Sequence, residues 1–164
     1  MNGIFQREGS PYRFVGQVLS PITDPAELQA ISEAQQQGER FSGAREHIAS
    51  ALENLGRRPE PDYRNAIKEA ISAVESTLKV LTGKEAGDLS VALKAFQQAN
   101  PIHGALFKGL FSLYGYTSDE HGLRHALLDA DANVGFAEAK FMIVACAGFM
   151  NFLILKSADA ERER

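Results

Sequence analysis

The feature that most restricts how this chain can fold is an apolar stripe within residues 67–81. Ile67, Ile71, Val74, Leu78 and Leu81 follow one another at steps of four, three, four and three residues. An α-helix returns its side chains to one side about every 3.6 residues, so this series lies on a single helical face. A helix with one greasy face must bury it against other elements. The punctuation agrees: Pro59 and Pro61 precede the run, and Gly83 ends it.

Helical patterns fill most of the remaining chain. Asp24-Pro25-Ala26-Glu27 predicts an N-cap, a proline at the first helical position and a capping-box glutamate. That helix should stop at Gly38, and its thin apolar face (Leu28, Ile31 and alanines) predicts a peripheral position. His47, Ile48, Ala51, Leu52 and Leu55 predict a helix over 40–55, stopped by Gly56. Pro59 and Pro61 stiffen the connection that follows. From Asp88, the residues Leu89, Ala92, Leu93 and Phe96 predict another helix, ended by Asn100-Pro101. His103, Leu106, Phe107, Leu110, Phe111 and Tyr114 form a broad aromatic face on the next.

Thr117-Ser118-Asp119-Glu120 reads as a capping box that opens a short helix reaching about Leu128. The last helix is expected from about Asn133 to Lys156, buried on most sides, with residues 157–164 frayed. The one strand-like pattern is PYRFVGQVLS at 11–20, where Gly16-Gln17 can turn a small hairpin. The predicted architecture is an all-α bundle of about five to seven helices with a small N-terminal β-hairpin. It forms one domain over 1–164, with the hairpin in 1–20, the bundle in 24–156 and the tail in 157–164.

Composition narrows the chemistry. The chain has 164 residues, enough for a core that needs no disulfide or metal staple. Seventeen Lys and Arg against 21 Asp and Glu give a net charge of −4, which excludes a protein coated in positive charge for broad nucleic-acid binding. The single cysteine, Cys146, excludes a disulfide framework and a Cys-rich zinc site. No signal peptide is visible at 1–20, and the uncharged run at 141–155 is about 22 Å of helix, short of a roughly 30 Å bilayer core. A cytoplasmic protein without a membrane span is expected.

Metal motifs fail on their spacing. Asp129, Asp131 and Asn133 resemble the start of a calcium loop, but Val134 and Lys140 stand where glycine and the closing glutamate belong. His121 and His125 are four apart, yet Gly122 replaces the glutamate of a zinc-protease helix and no cysteine is near. The segment 113–125 is denser in chemistry, with two phenols, two acids, two imidazoles and a guanidinium. Arg124 and His125 could grip a phosphate and move a proton, with Arg as the fork and His near neutral pKa. A capped, solvated first turn is the plain alternative. On the 67–81 helix, Arg64 and Glu75 lie about 60° and 80° from Ile67, flanking the apolar stripe. Half-buried charges need partners. Arg124 or His125 could meet Glu75, and Arg64 could meet Asp119, either as part of a site or as a purely structural ion pair holding the short helix to the bundle. Arg40 and His47 match a loose Arg-x4–6-His pattern.

Several long motifs then resemble one family in order. PDYRNAIKEAISAVE at 61–75, Ile102-His103, LYGYTSDEHGLRHAL at 113–127 and the EAKFM-to-FMNFLI helix at 138–154 look like the abortive-infection C-terminal domain. YRFV at 12–15 and AREHIASAL at 44–52 extend the likeness. The resemblance implies a HEPN-like helical bundle of bacterial phage-defence proteins, usually dimeric, with no cofactor or metal. It implies RNA or a nucleotide as ligand, or a defence-system protein as partner. Carried onto this chain, Arg124 and His125 are the candidate catalytic pair. Arg64, Asn65, Glu75, Tyr116 and Asp119 are the candidate binding and supporting residues. In the family's ribonucleases Arg and His are spaced apart, whereas here they adjoin and Asp129, Ala130 and Asp131 occupy the spaced positions. A binding module is therefore the favoured reading, with a metal-independent ribonuclease as the alternative.

Overall fold

The structure is a computed structural model and describes residues 2–83, 89–118 and 134–162. Its elements are α1 (Asn2–Arg7), β1 (Arg13–Val15), β2 (Val18–Ser20), α2 (Pro25–Gln35), α3 (Ser42–Gly56), α4 (Tyr63–Thr82), α5 (Leu89–Ala99), α6 (Gly104–Ser118) and α7 (Phe136–Arg162). A short 3₁₀ turn, Glu39–Phe41, leads into α3. The fold is mostly helical with one small antiparallel hairpin, as the patterning predicts.

Helix α4 is the hub, packed between α3 on one side and α7 on the other, with α5 beyond. Its stripe reaches the core: Ile67, Ile71, Val74 and Leu78 are buried, and Ala66, Ala70 and Ala73 let the neighbours come close. Burying a side chain of this size contributes about 1.5–3 kcal/mol. The helix is defined at both ends. The Asp62 carboxylate accepts from the Asn65 N–H at 3.0 Å, and Gly83 at φ 65° donates to the Lys79 carbonyl.

The hairpin pairs Arg13 with Ser20, Phe14 with Leu19 and Val15 with Val18. Gly16 takes φ 59°, and among the described residues only glycines have a positive φ, which fits a Gly-first type II′ turn. Helix α1 has no counterpart in the sequence reading. Its Asn2 amide donates to the Phe14 carbonyl at 2.8 Å and accepts the Phe14 N–H at 2.7 Å, so a side chain completes the free edge of β1.

Several local expectations are corrected. Gly56 does end α3, but through contact: a Cβ there would lie 2.8 Å from the Leu19 carbonyl oxygen, so glycine lets the hairpin close on α3. Glu27 does not complete a capping box. It reaches α7 instead and pairs with Lys140 at 2.7 Å, while Asp24 alone caps α2. Helix α2 is less peripheral than its thin face suggests, because Ile31 and Ala34 are fully buried and Asn151 donates to the Ala30 carbonyl. Thr117 and Ser118 are helical and continue α6, so they do not cap a new helix there. The remainder of the expected 117–128 helix lies outside the described residues.

Helix α7 departs most from expectation. It runs 27 residues to Arg162, and Ser157 is buried, so the described part of the tail is helix. It is long and apolar enough to cross a membrane by length and composition, a test that core helices of soluble proteins also pass. One face packs on α2 and α4 through Ala139, Met142, Ile143, Cys146, Ala147, Met150 and Leu153. The opposite face is open: Phe141 is 60% exposed and Leu155 63%.

Candidate functional site

The residues expected to carry function divide into two groups. Arg124, His125 and Asp119 lie outside the described residues. The Tyr116 backbone is in the last turn of α6, and its side chain is outside the description. Arg64, Asn65 and Glu75 are placed, all on α4. Arg64 and Glu75 share one side of that helix, but eleven residues of rise separate them by about 16 Å. Both are half-buried and neither is free of interactions. They therefore belong to two neighbourhoods, and Arg64 is the one with a legible surrounding.

That surrounding is the turn between α3 and α4. Asn54 near the end of α3 accepts the Asp62 N–H through its carbonyl, closing the turn at 2.9 Å. Its side-chain oxygen accepts from Arg57 Nη2 at 2.9 Å. Asp62 gathers the charges: its oxygens accept from the Asn65 backbone and from Asn65 Nδ2 at 2.6 Å, and Arg57 Nη1 stands 3.7 Å away. Partial burial pushes the Asp62 carboxyl up, but the two Asn65 hydrogen bonds and the charges of Arg57 and Arg64 outweigh it. The net pKa lies below the ordinary value. Asn65, expected to bind, here serves the cap of its own helix.

Arg58 continues the basic edge toward the hairpin. Its Nη2 donates to the Tyr12 hydroxyl at 2.6 Å, and the guanidinium carbon stands 5.5 Å from the Tyr12 ring centroid. Arg13 beside it donates to the Ser10 and Tyr12 carbonyls at 2.7 Å. Tyr63 opens α4 and packs edge-on against Phe136 at 6.4 Å. One end of the bundle thus carries Arg57 and Arg64 beside the Asp62 carboxylate, with Arg58 on Tyr12, Tyr63 at the start of α4 and the exposed Glu60 in the same turn. Guanidinium forks suit phosphate oxygens, and the tyrosine rings offer faces on which a base can stack.

A second cluster lies along the α3–α4 seam. His47 Nδ1 is 2.7 Å from Glu69 Oε2, and the two side chains are 39% and 21% exposed. A carboxylate only accepts, so Nδ1 carries the hydrogen and the ring is held in one orientation. Lys68 Nζ stands 3.9 Å from the other Glu69 oxygen. Arg40, seven residues before His47, is exposed and its guanidinium lies over the Phe41 ring at 4.7 Å. Among the described residues no group of three His, Cys, Asp or Glu is placed to hold a metal. Cys146 is fully buried, and desolvation pushes its thiol up to about 12, so it offers no nucleophile.

Arg57, Arg58 and Tyr12 were not singled out by sequence. The Arg57-Arg58-Pro59 run directly after a helix stop was the available signal. The His47–Glu69 contact had none, because it joins two helices whose relative register is a tertiary outcome. The class these features define is a helical bundle with a basic, aromatic end. No family model matches the chain, and no curated protein or solved structure is significantly similar to it.

Proposed function

We propose that this chain is a cytoplasmic, HEPN-like phage-defence module that binds RNA or a nucleotide. Its contact surface is the end of the bundle formed by Arg57, Arg58, Arg64, Tyr12 and Tyr63. The observation that carries the reading is the pair of guanidinium groups, Arg57 and Arg64, around Asp62, with Arg58 next along the chain held on Tyr12, on a chain whose net charge is −4. Cations spread evenly over an acidic protein bind phosphates poorly, whereas a local cluster with stacking faces can do so. The resemblance to abortive-infection domains adds Tyr116, Asp119, Arg124 and His125 to the same reading, and allows a defence-system protein as a further partner.

Fluorescence anisotropy with labelled single-stranded RNA tests it. Wild type should bind with an affinity that falls as salt rises, and Arg57→Ala with Arg58→Ala should weaken binding at least about tenfold. The double substitution should also lower the slope of log affinity against log salt by about 1.4, or roughly 0.7 per lost phosphate contact. Equal affinity and slope in the two proteins would remove this end as the interface.

A second reading, a metal-independent ribonuclease using Arg124 and His125 in a dimer, has one supporting observation. The bundle holds a further imidazole, His47, on a carboxylate, with Arg40 at the Arg-x4–6-His spacing. An oriented histidine is suited to proton transfer at a 2′-hydroxyl, and a guanidinium to the phosphorane charge. RNA cleavage in the presence of chelator separates the readings, with Arg124→Ala, His125→Ala and His47→Ala as comparisons. An inert wild-type protein ends the ribonuclease reading.

A further inference from the structure

The open face of α7 is ordered along its length. Phe141, Gly148 and Leu155 are spaced seven residues apart, within about 20° of one line and over about 21 Å. Phe141 and Leu155 are the two most exposed large apolar side chains among the described residues, and Gly148 between them is also exposed. A Cβ at Gly148 would meet nothing within 4 Å. Ala145 and Phe152 fill the same face at about 60° and 40° from Gly148. The face reads large, small, large about its midpoint, and it reads the same in reverse.

The geometry points to a second copy of this chain as the occupant, with the two α7 helices packed antiparallel and crossing at Gly148. A twofold axis at the crossing sets Phe141 of each copy against the partner's Leu155. The two glycines let the backbones approach where side chains would otherwise hold them apart. The charges beside the stripe fit the same operator. Lys156 lies eight residues after Gly148 and Glu138 ten before it, and at about 100° per residue both project about 80° to the same side. An antiparallel twofold keeps that side common to both helices, so each Lys156 meets the partner's Glu138 at nearly equal height. Asp159 then comes beside the amino-terminal end of the partner's α7, where negative charge is favoured. A parallel pair would instead carry that side to opposite flanks of the two helices, so Lys156 and Glu138 of one copy would meet neither residue of the other. The other flank is already occupied, with Lys140 on Glu27 at 2.7 Å and Asn151 bonded to α2.

A lipid surface fits less well, because Glu138, Lys140, Lys156 and Asp159 bracket the stripe at both ends. One helical face of this length buries less than the roughly 800 Å² per partner of a standard interface. The dimer should therefore dissociate in the micromolar range.

Sedimentation velocity on the full chain, over a concentration series, tests the proposal. Wild type should pass from monomer to dimer, and Gly148→Phe should weaken the dimer at least about tenfold while its far-UV circular dichroism and unfolding midpoint stay native. Cysteine cross-linking reads the orientation without competition from the buried Cys146. Phe141→Cys mixed with Leu155→Cys should give a disulfide-linked heterodimer, and Gly148→Cys should link to itself. Lys156→Glu should weaken the dimer, and mixing it with Glu138→Lys should restore association. A wild type that stays monomeric to hundreds of micromolar overturns the proposal. Phe141→Cys linking mainly to itself, or co-sedimentation with phosphatidylglycerol vesicles in place of self-association, overturns it equally.

Discussion

Helices α4 and α7 lie against one another, and they solve opposite problems. Helix α4 has a polar side with Arg64, Lys68 and Glu75, and an apolar side that is buried as far as Leu78 between α3 and α7. Helix α7 is apolar almost all round, so the core takes one face and leaves Phe141 and Leu155 in the open. An amphipathic helix announces its own orientation, since only one rotation buries the greasy face. An all-apolar helix does not, because several rotations bury similar area and its neighbours choose among them.

Truncations should separate the two helices most sharply. Leu78→Ala on α4 empties a fully buried site and should cost about 2–5 kcal/mol, whereas Leu155→Ala on α7 should stay within about 0.5 kcal/mol in the monomer. Urea unfolding at low micromolar concentration measures both. A large loss at Leu155 would mean that its face is covered within one chain.

Two glycines extend the contrast with opposite signs. Gly56→Ala pushes a methyl to 2.8 Å from the Leu19 carbonyl oxygen, a backbone atom that cannot swing away. The expected loss is about 1–3 kcal/mol. Gly148→Ala meets nothing within 4 Å and relieves a mid-helix glycine, so it should gain about 0.5–1 kcal/mol. Thermal unfolding at low concentration reads the two signs directly.

A smaller effect concerns how α4 begins. Its Asp62 cap has a folded pKa below the unfolded one, so its contribution is complete above the unfolded value and fades as pH falls through the folded value. Asp62→Ala should therefore cost about 1 kcal/mol at neutral pH, and the gap between variant and wild type should close in strong acid. An undiminished gap at low pH would assign the cap's worth to something other than its charge. Another small change belongs to α7. Lys140→Ala removes a partly exposed pair with Glu27 and should cost under about 1 kcal/mol by denaturant unfolding.

Local chemistry was legible wherever a residue acts on its own neighbourhood. The Ile67-to-Leu78 stripe, the Asp24 cap, the Gly83 stop and the Gly16 turn each depend on a few adjacent residues. Glu27 shows where that legibility stops. Its spacing from Asp24 suits a capping box, yet Lys140 offers a full opposite charge 2.7 Å away and wins. Asn65 was read as a binding residue and is drawn into the cap by Asp62. His47 was visible as half of a weak pattern, while its carboxylate partner came from another helix. For the candidate site, sequence supplied Arg64 and missed Arg57, Arg58 and Tyr12, because their proximity needs the hairpin folded onto the end of α3.

By itself, then, the sequence determined which of the longer segments are helical, where most of them start and stop, and which face of α4 is buried. Those properties follow from the period of the backbone and from hydrogen bonds spanning only a turn. Only the tertiary structure decided which charges meet, why Gly56 must lack a side chain, and which face of α7 is left open. Each of these is a contact between residues far apart in the chain, set by how helices pack and not by how any one of them is written.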